Sequence, residues 1–221
     1  TALGTSALLS NTTGSENTAS GYEALTYNIT GINNTATGYQ ALYSTNSSNE
    51  NTAIGYQSLY TNSSGNKNAA IGSKSLYNNT TGSYNAAVGA EALYANTTGE
   101  FNTANGFYAL NKNTTGDRNT STGSYSMYNN TTGRFNTAMG VDALNANTVG
   151  SANAATGFEA LRRNTTGYSN VAMGAGALFN NTTGNNSVAI GDSSLFSSTA
   201  PGNIYFANTA VGSKALYSNS N

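Results

Sequence analysis

The chain repeats itself every seventeen residues. Asn51 to Lys67 reads NTAIGYQSLYTNSSGNK, Asn68 to Tyr84 reads NAAIGSKSLYNNTTGSY, and Asn85 to Phe101 reads NAAVGAEALYANTTGEF. With the leading Asn as position 1, position 5 is Gly in all thirteen copies, and position 9 is Leu in all but one, where Met127 stands. A fixed period of this length is the mark of a solenoid, in which each copy packs only on its neighbours. The expected fold is a mainly β, parallel β-solenoid (a β-roll) of thirteen coils, with residues 1–221 forming a single repeat segment. The twelfth copy alone departs from the period. It carries four extra residues around 198–206, including Pro201, the one proline, and such an insert should protrude from one face. The chain begins at position 2 of a copy and ends at position 14, with no atypical capping copy, so it is expected to be part of something longer.

Low charge and an abundance of Asn, Thr, Ser and Gly would ordinarily argue for disorder, because few apolar groups offset the entropy of ordering. Charged residues make up 8% of this chain and the net charge is −1, yet Leu, Ala and two Gly return in strict phase, which argues for order. With no Cys there is no disulfide framework. No apolar run approaches the roughly 20 residues of a membrane span, so no membrane contact is expected within this segment. Near-neutral charge without basic clusters excludes nucleic acid as an expected partner.

Positions 1 to 5 (NTAIG, NAAVG, NTAMG) are small and partly β-branched, and read as one strand of a parallel ladder with a rise of about 4.8 Å per coil. Stacked Asn at position 1, such as Asn51, Asn68 and Asn85, can hydrogen-bond along that ladder. Positions 5, 8, 9 and 12 follow the i, i+3, i+4, i+7 spacing of a helical face. The segment Tyr39 to Ser44 and its equivalents therefore predict a short helical turn with Ala41 and Leu42 inward, a second strand being the competing arrangement. The NTTG of positions 12 to 15 predicts a loop, with Gly at position 15 taking the positive φ that ends the turn. The N-T-T at Asn79, Asn96 and Asn113 also fits a glycosylation acceptor, although turn chemistry explains it in every coil. Gly55, Gly72, Gly89, Leu59, Leu76 and Leu93 are scaffold on this reading.

The charges test this register. All nine acidic and eight basic residues fall at positions 6, 7, 10, 11, 16 or 17, leaving the strand, the position 8–9 pair and the NTTG loop uncharged. Burying an unpaired charge is prohibitive, so the uncharged positions are the inside and the turns. One leucine per coil is a small apolar core, and further burial is expected from sister chains. The candidate contact surface is the aromatic row at position 10, Tyr43, Tyr60, Tyr77 and Tyr94, together with Pro201. The alternative for that row is tyrosines stacked on one another.

The run Ser187-Val188-Ala189-Ile190-Gly191, with its variants at Asn51, Asn68 and Asn85, resembles the head repeat of YadA-like trimeric autotransporter adhesins. The seventeen-residue unit with GYxAL and NTTG is also similar to tail-fibre-like repeat proteins of bacteria and phages. The family's unit is shorter and its second half alternates as a strand does, whereas Ala and Leu are adjacent here. The resemblance implies a parallel β-roll, a homotrimer of sister chains, and an extracellular place on a cell surface or a virion fibre. No binding residue carries over, because the matching positions are structural.

Enzymatic chemistry starts poorly without His or Cys, the commonest general base, nucleophile and zinc ligands. Stacking of coils would bring Glu100 near Asp117 and Asp142 near Glu159, two weak candidates for a retaining carboxylate pair or a bound cation. Arg118 and Arg134 should lie near the first pair, and Arg162 and Arg163 near the second. Glu50–Lys67 and Lys74–Glu91 are expected as cross-coil ion pairs. An ice-binding face would want Thr at positions 2 and 4 together, found only at Thr35/Thr37 and Thr120/Thr122. The expected function is a non-catalytic structural or adhesive segment of an extended surface fibre, attaching to a cell-surface or matrix receptor and using no cofactor. The alternatives are a phage tail-fibre shaft or receptor-binding segment and, below these, an ice-binding or polysaccharide-acting solenoid.

Overall fold

Three residues per coil form the strand, and the rest of the coil brings the chain back beneath it. The structure, a computed structural model, describes residues 1–197 and 207–218; the insert at 198–206, with Pro201, lies outside them. Thirteen strands run from β1 (Ala2–Leu3) and β2 (Thr18–Ser20) to β13 (Thr209–Val211). They form one sheet in sequential order. Each pair is parallel and in register, as in Thr52↔Ala69, Ala53↔Ala70 and Ile54↔Ile71. Side chains alternate across a strand, so position 3 points inward and positions 2 and 4 outward. Ala53, Ala70 and Ala87 are completely buried, while Ile54, Ile71 and Val88 are exposed.

The predicted helical turn is not there. Across positions 6 to 11 the backbone is left-handed at positions 7 and 9, as at Gln57 (φ 50°) and Leu59 (φ 51°), and left-handed again at position 17, as at Lys67 (φ 58°). The amides do not bond along a helix. Gln57 N–H donates back to Tyr39 of the preceding coil (2.9 Å), whereas Leu59 and Thr61 donate forward to Ser75 (2.9 Å) and Tyr77 (3.0 Å) of the next. Within the coil the amides close only isolated tight turns, at positions 8 and 12, as in Ala92 N–H to Gly89 (3.4 Å) and Asn96 N–H to Leu93 (3.1 Å), and in several coils at position 10, as in Arg162 N–H to Glu159 (3.2 Å). The left-handed residue at position 9 turns two consecutive side chains inward. That produces the helix-like spacing without a helix: Ala41 and Leu42 are both buried.

The glycines serve two different purposes. At position 5 the backbone sits at φ near +130° (Gly72, 135°), and a Cβ there would lie 2.5 Å from the carbonyl oxygen of Gly89 in the next coil. At position 15, where the sequence predicts a positive φ, φ is not positive. The constraint is space, since a Cβ on Gly82 would meet the Gly99 oxygen at 2.4 Å and the Asn79 Oδ1 at 2.5 Å.

Buried polar ladders join the coils. At position 1, Asn68 donates from Nδ2 to Asn51 Oδ1 (3.1 Å) and to Gly82 O (2.9 Å). Its own Oδ1 accepts from Asn85 N–H (3.0 Å) and Asn85 Nδ2 (3.2 Å). At position 12, Asn96 Nδ2 donates to Asn79 Oδ1 (2.8 Å) and to Gly99 O (3.0 Å). Beside it, the position 13 hydroxyls of Thr97 and Thr114 each donate to the position 13 carbonyl of the next coil at 3.0 Å. A buried polar group left without a partner is costly, and these ladders answer that cost with one residue type per position. They also take Asn79, Asn96 and Asn113 out of reach of modification, because all three amides are fully buried in the folded coil.

Two coils depart from the rule, one fully compensated and one only in part. The coil containing Met127 has Ser121 in place of the inward Ala, and its hydroxyl donates to Ser126 O (2.9 Å). In the third coil Thr45 replaces the position 12 Asn and Ser48 replaces the position 15 Gly, and their hydroxyls bond each other. Thr45 has no amide to donate downward, so Asn28 Oδ1 is buried without a partner.

Candidate interaction surface

What the coils present to solvent falls into rows along the axis, because each position recurs directly above itself. The position 10 row, expected as the contact surface, is half-buried. Tyr43, Tyr60, Tyr77 and Tyr94 stack with ring centroids 5.0, 5.0 and 5.2 Å apart and planes within 9° of parallel. Centroid spacing close to the coil rise means that each ring's faces are covered by its neighbours, leaving edges and hydroxyls outward. Tyr27 caps the row edge-on against Tyr43, at 5.0 Å and 89°. The Tyr43 hydroxyl hydrogen-bonds that of Tyr27, and this bond, with burial, pushes the Tyr43 pKa up to about 12. Burial first, then the neighbouring Tyr77, raises Tyr60 in the same direction.

Position 17 carries a second, mixed row. Lys67 lies 4.0 Å from Glu50 and 5.5 Å from the Tyr84 ring centre, and Tyr84 stacks on Phe101 at 4.8 Å. Arg118 sits between Phe101 (5.3 Å) and Phe135 (5.6 Å), so the cation is sandwiched by two rings. The left-handed backbone at position 17 aims these side chains into one column.

Three of the four carboxylates singled out from the sequence are taken up by neighbours. Asp117 is paired with Arg118 (2.5 Å) and Arg134 (2.9 Å), and Glu159 with Arg162 (3.5 Å). Asp142 accepts from Asn145 Nδ2 at 2.9 Å. Among the described residues, no three acidic, His or Cys groups converge as a metal site, and Glu100 joins no such group. The Glu50–Lys67 pair forms across coils as expected, while Lys74 lies over the Tyr77 ring at 5.9 Å. Arg163 lies over Phe179 (5.3 Å) and donates to Asn180 (3.0 Å). Along position 7 an amide chain links Glu23, Gln40 and Gln57 through bonds of 2.7 and 2.8 Å.

Besides the tyrosine row there is the outward sheet face, which carries no charged residue at position 2 or 4 in any coil; position 2 is mostly Thr, and position 4 is apolar in eight coils and Ser, Thr or Asn in the other five. At position 4, Ile54, Ile71, Val88, Met139, Met173 and Ile190 are all exposed. Position 6 borders it with an aromatic row in which Tyr22, Tyr39 and Tyr56 stack at 5.3 Å and Phe158 is 55% exposed. The signal for this face is present in the sequence, since β-branched and thioether side chains at position 4 alternate with a buried Ala at position 3. Strand propensity accounts for the same residues, which hides the signal. No family model matches the chain, and no curated protein or solved structure matches it either.

Proposed function

We propose that this chain is a non-catalytic structural or adhesive segment of an extended extracellular fibre, built from sister chains as a homotrimer and mediating attachment. The observation that carries the reading is the unbroken ladder of thirteen parallel strands with its charge-free outward face. At about 4.8 Å per step that ladder extends about 58 Å, a rod on which each outward position recurs as a row along the axis. Repeated shallow contacts suit avidity, in which many weak engagements add up without a deep pocket. The pairing of Asp117 and Glu159 with arginines supports the non-catalytic part, because a carboxylate held by guanidinium groups is poorly placed to act as nucleophile or acid. The resemblance of Ser187–Gly191 to the head repeats of trimeric adhesins supports placement on a cell surface. A phage tail-fibre shaft is the second reading, favoured by the strict seventeen-residue period of the coils and the in-register ladder it builds.

Beads coated with the purified chain, flowed over surfaces bearing matrix proteins or glycans, test this directly. Retention that grows steeply with coating density, with no oligosaccharide released from the glycans, is the expected result. Release of cleaved glycan would overturn the non-catalytic reading, and absence of retention on every surface would favour the shaft.

A further inference from the structure

We propose that the outward sheet face, positions 2 and 4 with the position 6 row along its border, is the surface on which a second copy of this chain packs. The proposal rests on the reading that sister chains associate, and it moves the contact away from the position 10 tyrosines to a different side of the coil. Those tyrosines already cover one another's ring faces, whereas Ile54, Ile71 and Val88 stand in consecutive strands with their outer parts exposed.

Charge, length and period each point to a second copy. Interface cores are depleted of charge, and here positions 2 and 4 are free of it over all thirteen coils, the bordering position 6 row carries one charge, Asp192, and positions 7, 16 and 17 carry most of the rest on the flanks. The face runs about 58 Å along the axis, since every coil contributes to it. Period selects the occupant. A row of side chains repeating every ~4.8 Å is matched along its whole length only by a surface with the same rise, and a second copy of this solenoid has it. A globular protein would meet a few coils and leave the remainder exposed.

The test is sedimentation of the whole chain beside two variants, with circular dichroism to establish that each is folded. Ile71→Lys combined with Val88→Lys places two charges per chain on the face, and Tyr77→Lys places one on the position 10 row. The expected result is an oligomeric parent, a sheet-face variant whose association is weakened more than about 100-fold, and a Tyr77→Lys variant that associates as the parent does. Because the chain has no cysteine, Val88→Cys gives an independent readout that does not depend on the lysine variant folding. It should cross-link between chains with a short bismaleimide, while Asn129→Cys on another side should not. An oligomer that is dissociated by Tyr77→Lys and not by the sheet-face variant, with no cross-link at Val88→Cys, would overturn the choice of face and leave sister-chain association standing. A parent that stays monomeric at high concentration would overturn both, and would assign the face to a lipid surface or an unrelated protein.

Discussion

Changing Asn68 to Asp replaces one atom of the position 1 ladder and should make stability depend on pH in a way that the parent does not. In the folded chain Asn68 Nδ2 points at two acceptors, Asn51 Oδ1 (3.1 Å) and Gly82 O (2.9 Å), while Oδ1 receives two donors from Asn85. An aspartate keeps the second pair of contacts and turns the first into oxygen against oxygen. Both acceptors retain one other donor, Asn68 N–H on Asn51 Oδ1 (3.0 Å) and Asn79 Nδ2 on Gly82 O (2.9 Å), so the lost bonds alone cost about 1 kcal/mol each. The charge costs more. Asn68 is 2% exposed and no cation stands beside it in the ladder, and an uncompensated buried charge costs about 3–5 kcal/mol. Burial and the facing oxygens raise the folded-state pKa of the new carboxyl above its ordinary ~3.9. A group bound more tightly to its proton when folded contributes stability that is complete below the unfolded pKa and lost as pH rises through the folded one. Measured by chemical unfolding and expressed relative to the parent at each pH, Asn68→Asp should therefore lose about 1–2 kcal/mol at pH 3 and about 3–5 kcal/mol at pH 7. Asn68→Ala, with no titrating group, should show one deficit at both pH values. Equal deficits for the aspartate variant at pH 3 and pH 7, or parent-like stability at pH 7, would refute the buried ladder.

Three further outcomes follow from the same geometry. The pair Thr45→Asn and Ser48→Gly should stabilise the chain by about 1 kcal/mol by giving Asn28 Oδ1 its missing donor. Thr45→Asn alone should not, because a Cβ at position 15 collides with the Asn at position 12, as the 2.5 Å approach at Gly65 shows; thermal melts of the single and double variants check the coupling. Gly72→Ala should cost about 2–3 kcal/mol, since its Cβ would press on the Gly89 carbonyl, while the neighbouring Ser73→Ala stays within about 0.5 kcal/mol of the parent; chemical unfolding of both variants separates the two positions. In an alkaline titration followed by tyrosinate absorbance, Tyr43 should ionise late, near its raised value of about 12. Its contribution to stability is complete below the ordinary pKa of about 10 and lost as pH climbs from there towards 12, so the fold should weaken in that window, and Tyr27→Phe should lower the Tyr43 midpoint.

The ladder, its register and the inside–outside assignment are legible in the sequence because burial acts on each position thirteen times over. Gly72, Leu76 and the charge-free strand positions follow from that repetition alone. The path of the coil between strands is not legible in the same way. Adjacent inward residues such as Ala41 and Leu42 suggest a helix when backbone handedness is assumed to be uniform, and here it switches at positions 7 and 9. A signal for the switch exists. Among the described residues, none of the left-handed positions 7, 9 and 17 carries Val, Ile or Thr in any coil, although those residues are frequent elsewhere. Side chains branched at Cβ are the ones that a left-handed backbone tolerates least. Position 9 is therefore Leu or Met, not Ile, for a backbone reason as well as a packing one. For the tyrosine row the sequence offers both a contact surface and a stack, and the structure shows the stack. Whether rings cover each other depends on the coil rise, and a rise near 5 Å stacks them.

Immunogold electron microscopy of the cells or particles that carry this chain, with an antibody raised against the described coils, tests the proposed function most directly. Gold on thin fibres projecting from the surface, aligned with a straight section about 58 Å long per copy, is the result expected of a surface-fibre segment. Gold confined to the cell interior, or scattered on the surface without fibres, would contradict it.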